Sequence, residues 1–68
     1  MIHIKHLGRI IKQERRKAGF TQLQLAELTG FHQSAISRLE SGKFNNTIRQ
    51  ETYDKLKKII DLHAEIEG

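Results

Sequence analysis

The side chains with the most specific chemistry in this chain lie close together: His32, Gln33, Ser34, Ser37 and Arg38. They offer an imidazole, a carboxamide, two hydroxyls and a guanidinium, with no nucleophile set beside a base. Their chemistry is hydrogen bonding, donated and accepted at different reach. Ile36 and Leu39 recur among them at a spacing of three, so a helix here would bury one face and leave the polar set on the other. Such a surface suits the reading of a patterned partner.

The stretch that must position them is TQLQLAELTGFHQSAISRLESG, from Thr21 to Gly42. Apolar-periodic segments at Leu23–Leu28 and Ala35–Leu39 are joined by Thr29, Gly30 and Phe31, a link short enough only for a tight turn. Ala26 is small where two helices would cross closely, and Gly30 suits the left-handed backbone that ends one helix and redirects the next. A helix, a turn and a second helix follow. A helix-turn-helix that places its second helix in the DNA major groove needs this division between buried and polar faces.

The wider run LGRIIKQERRKAGFTQLQLAELTGFHQSAISRLESGK carries a resemblance. Its first-helix and T-Q-x-x-L-A portion, the turn Gly30 and the closing I-S-x-L-E-S-G-K are the most typical parts. From Leu7 to about Leu62 the chain resembles the Cro/C1-type, or XRE-like, helix-turn-helix family of phage and bacterial repressors. The resemblance implies an all-α, compact four- to five-helix lambda-repressor-like domain. It also implies that the first turn of the second helix enters the major groove.

On that basis His32, Gln33 and Ser34 are the leading candidates for base contacts, with Ser37 and Arg38 one turn later. Gln33 can pair bidentately with an adenine edge and Arg38 with guanine O6 and N7, while Ser34 donates or accepts and discriminates weakly. His32 has the alternatives of capping the helix or touching a phosphate. Arg38 has those of a phosphate clamp or a salt bridge to Glu27. Backbone-contact candidates are Gln22 at a helix N-terminus, Lys43, Asn45, Asn46 and Thr47 in the following loop, and Arg49. That loop departs from the family in lacking the usual proline. The resemblance further implies a buried ion pair between Arg15 and Glu40; the alternative is two exposed charges of little consequence.

Composition bounds the rest. Sixty-eight residues without cysteine make one small domain, residues 1–68, whose stability must come from helix packing or association of copies. The net charge of +4 is unevenly spread. Residues 1–50 carry nine Lys or Arg against Glu14, Glu27 and Glu40, giving +6, and residues 51–68 carry three Lys against five carboxylates, giving −2. A basic front holding the helix-turn-helix fits a nucleic-acid partner, although basic runs on helices are also ordinary solvated faces. No membrane span or signal-peptide core is apparent, and a cytoplasmic location is the expectation.

Residues 1–6 have two readings. Ile2 and Ile4 alternate as in a strand, yet Ile4, Leu7 and Ile11 also have helical spacing, so a mobile arm or an early helix start is expected. His3 and His6 have no neighbours to complete a metal site, and neither a metal nor a cofactor is expected. A first helix over about Lys5 or Leu7 to Ala18 would bury Leu7, Ile10, Ile11 and Ala18, ending at Gly19, with Phe20 in the core. Thr21 and Gln24 form a capping box for the next helix. Phe44 would plug the core edge. A closing amphipathic helix is expected from about Thr47 or Gln50 to Ile66, with Thr47 and Gln50 as a second capping box and Tyr53, Leu56, Ile59 and Ile60 inward. Leu62 and Ile66 exceed what such a core needs, which marks residues 61–68 as a dimerisation tail or a frayed end.

These features disfavour an enzyme: no glycine-rich phosphate loop and no paired carboxylates are present. The expectation is a sequence-specific regulator of double-stranded DNA, a repressor dimer on an inverted repeat. The alternative is an antitoxin-type helix-turn-helix protein that binds a toxin and represses its own operon.

Overall fold

The computed structural model describes residues 2–43, 46–60, 62 and 66–67, the last two by backbone alone. The elements are β1 (Ile2–Ile4), α1 (Leu7–Lys17), α2 (Gln22–Thr29), α3 (Gln33–Glu40), β2 (Thr47–Ile48), α4 (Gln50–Lys57) and β3 (Ile66–Glu67). The class is all-α: among the described residues four helices enclose the core, and a small sheet closes one edge. Among the described residues no helix is long and apolar enough to cross a membrane.

The helices form where local chemistry asks for them. Thr21 caps α2: its hydroxyl accepts from the Gln24 amide at 3.1 Å, and the Gln24 side chain accepts from the Thr21 amide at 2.8 Å. Gly30 takes φ 78 at the end of α2, where a Cβ would be strained, and the Phe31 amide then donates to Ala26 O at 3.0 Å. Arg15, Arg16 and Lys17 occupy the last turn of α1, favourable to its dipole.

Ile4, Leu7, Ile11, Leu25, Ile36 and Leu56 are almost completely buried, one or more from each helix, and each contributes about 1.5–3 kcal/mol of burial. Ala26 is 1% exposed and belongs to the core. In α2 the inward face is Leu25, Ala26 and Thr29, while Leu23 and Leu28 stand half exposed. Ala18 faces solvent rather than lining α1's core side, and Phe20 is half-buried.

The chain ends differ from the expectation. Residues 2–4 are neither helix nor mobile arm but the middle strand of a three-stranded sheet ordered β2-β1-β3. Ile2 and His3 pair antiparallel with Ile48 and Thr47, and His3 and Ile4 with Glu67 and Ile66. The reason is the alternating pattern, which turns Ile4 fully into the core. His6, at φ 59, breaks the chain before α1.

The closing helix is correspondingly shorter. Thr47 is extended in β2 and cannot cap; Arg49 is the N-cap of α4, without a side-chain cap bond. Tyr53, Leu56 and Ile60 are buried and Ile59 packs beside them. Leu62, expected at an interface between copies, is 4% exposed within the chain's own core. The backbone of Ile66 pairs in β3; its side chain lies outside the described residues, as do Phe44 and Asn45.

Candidate nucleic-acid interface

Helix α3 divides its faces sharply. Ile36 is fully buried and Leu39 7% exposed, whereas Gln33, Ser34, Ser37 and Arg38 are exposed, as is His32 at the N-cap. His32 caps by backbone alone (φ −77, ψ 149) with no side-chain cap hydrogen bond. The first turn of α3 therefore presents an imidazole, a carboxamide and a hydroxyl outward, beside backbone amides that lack helical partners.

The other end of α3 is held firmly. Arg15 Nε donates to Glu40 Oε2 at 2.7 Å and Nη2 to Oε1 at 3.1 Å, while Nη1 donates to Phe20 O at 2.8 Å. The two side chains are 9% and 4% exposed. One arginine of α1 thus ties the end of α3 to the α1–α2 joint. A bidentate pair whose third guanidinium nitrogen is also hydrogen-bonded is the geometry in which a buried ion pair persists.

Gln22 joins this cluster. Its Nε2 donates to Glu40 Oε1 at 3.1 Å, and the side chain is half-buried. The side-chain amide expected against the DNA backbone thus also has a partner within the protein. Its partner is 18 residues away, and no local pattern announces it.

The remaining candidates spread over the loop after α3. Gly42 has φ 79, and the exposed Lys43 follows, its amide 3.3 Å from Arg38 O. Asn46 is left-handed (φ 63) and half-buried, with its carbonyl accepting from the Ile4 amide at 2.8 Å. Thr47 is half-buried in β2, and Arg49 is exposed at the start of α4. Asn45 lies outside the described residues. Lys43 and Arg49 are the exposed cations that this segment contributes.

Two roles are not legible in the sequence. Gly8 lies inside α1, where glycine is costly, and that cost was the available signal. Phe31, at the turn, packs against the core with the Lys55 ammonium 5.4 Å from its ring centre. Among the described residues no group of His, Asp or Glu is placed to hold a metal ion.

A family model described as helix-turn-helix matches residues 11–65, most of the chain. No curated protein sequence matches it.

Proposed function

The chain belongs to the Cro/C1-type helix-turn-helix family of DNA-binding regulators, and from that premise we propose that it is a sequence-specific repressor that occupies an inverted-repeat operator as a dimer. The observation that carries this reading is the outward polar face of α3, with His32, Gln33, Ser34, Ser37 and Arg38 exposed while Ile36 and Leu39 are buried. Gln33 and Arg38 offer the bidentate chemistry that separates one base pair from another. Lys43 and Arg49 supply backbone attraction that is blind to sequence.

The dimer is inferred from the DNA side. A recognition helix of eight residues reads too few base pairs to select one site among many, and a two-fold pair of helices about 34 Å apart doubles the reading. Leu62 is 4% exposed within the chain's own core and is not counted among the contacts of such a dimer.

The test is selection of bound sequences from a random duplex pool, followed by titration at several salt concentrations and sedimentation of the complex. An inverted repeat, two chains per duplex and a steep salt dependence are expected. Equal affinity for all duplexes would refute the reading.

A further inference from the structure

The last turn of α3 rests on α1 at a place where there is no side chain. A Cβ built on Gly8 would lie 2.6 Å from the carbonyl oxygens of both Leu39 and Glu40, and 2.9 Å from the carbonyl carbon of Glu40. These are backbone atoms, so no rotamer change relieves the contact; one helix must move. Ordinary contact distances for such atoms begin near ~3.4 Å, so the required displacement approaches ~1 Å.

That seat lies at the end of α3 where Arg15 and Gln22 also converge on Glu40. The opposite end, from His32 to Ser34, is exposed and has no side-chain cap. The helix is gripped at its C-terminus and offers its N-terminus outward. An eight-residue helix is only about 12 Å long, so lifting one end by close to 1 Å redirects the other by a comparable amount. Hydrogen bonds to base edges tolerate only a few tenths of an ångström.

We propose that Gly8 is a specificity-setting position: by letting the last turn of α3 sit directly on α1, it fixes the pose in which the base-reading turn is presented. The inference rests on α3 being the helix that reads DNA. Gly8 is a positioning residue and makes no contact with DNA itself. Backbone contacts through Lys43 and Arg49 depend on exposed, flexible cations and tolerate the same displacement.

The test compares wild type, Gly8→Ala and Gly42→Ala for binding to the preferred duplex and to a scrambled one, with thermal unfolding followed alongside. Gly42 has φ 79 and nothing within 4 Å of its would-be Cβ, and its amide donates to the Leu39 carbonyl at 3.2 Å, so Gly42→Ala strains the backbone beside the seat without placing an atom between α3 and α1. Gly8→Ala should lower the ratio of preferred to scrambled affinity at least tenfold, with scrambled affinity and its salt slope changed less than twofold; Gly42→Ala should keep the ratio. Because Gly8→Ala can fail to fold, it is also made together with His6→Gly, which relieves the left-handed backbone at position 6. An unchanged ratio in Gly8→Ala, an equal fall in Gly42→Ala, or loss of folding even in the His6→Gly background overturns the proposal. A wild-type chain without sequence preference overturns instead the reading on which it rests, and the proposal with it.

Discussion

The guanidinium of Arg15 meets the carboxylate of Glu40 along two parallel hydrogen bonds, 2.7 and 3.1 Å long, joining the first helix to the end of the third. Because both side chains are nearly enclosed, removing either leaves the other charge without its partner. Glu40→Ala and Arg15→Ala are each expected to cost about 3–5 kcal/mol in urea unfolding, and the double variant much less than their sum. Strictly additive losses would mean that the two groups do not interact.

Gln33 is exposed on the first turn of α3, on the side away from the buried Ile36 and Leu39. Gln33→Ala should leave unfolding unchanged and lose ~1–3 kcal/mol of discrimination at one base position of the selected motif. A motif identical to that of the wild type would remove Gln33 from the base-reading set.

Lys43 behaves differently. Lys43→Ala should weaken preferred and scrambled duplexes alike and reduce the slope of log K against log salt by ~1. If the loss were confined to the preferred duplex, Lys43 would be reading bases rather than phosphates.

Glu14 is 5% exposed, and its Oε2 is buried without a hydrogen bond among the described residues. The nearest cation, Lys17 Nζ, stands 3.9 Å away, a charge contact too long to be a hydrogen bond. An unsatisfied buried acceptor costs about 1–3 kcal/mol, so Glu14→Met, of similar shape and without the charge, should raise the urea midpoint by a corresponding amount. A lowered midpoint would show that the carboxylate is better satisfied than this geometry implies.

What the sequence disclosed was what is local. The Thr21–Gln24 cap, the turn at Gly30 and the spacing of Ile36 and Leu39 all act within a few residues, so α2, α3 and the outward face between them were readable. The bond from Gln22 to Glu40 has no local signal, because its two ends lie across the fold from one another. Of the sheet only the alternation of Ile2 and Ile4 is local; the residues they pair with, Ile48 and Ile66, lie far along the chain, so the pairing that selects strand over helix leaves no local signal. The apolar run Ile59, Ile60, Leu62 has helical spacing, but Leu62 reaches the core from beyond the end of α4.

Strand β1 lies between strands drawn from the middle and the far end of the chain. The three central helices can assemble from neighbours in sequence, whereas this seam must wait for its two distant flanks to arrive. Protection of the Ile4 amide in pulsed hydrogen exchange is therefore expected to lag behind that of Leu25 and Ile36. The half of the molecule that carries the outward polar face of α3 would then be in place before the fastening at its edge is drawn shut.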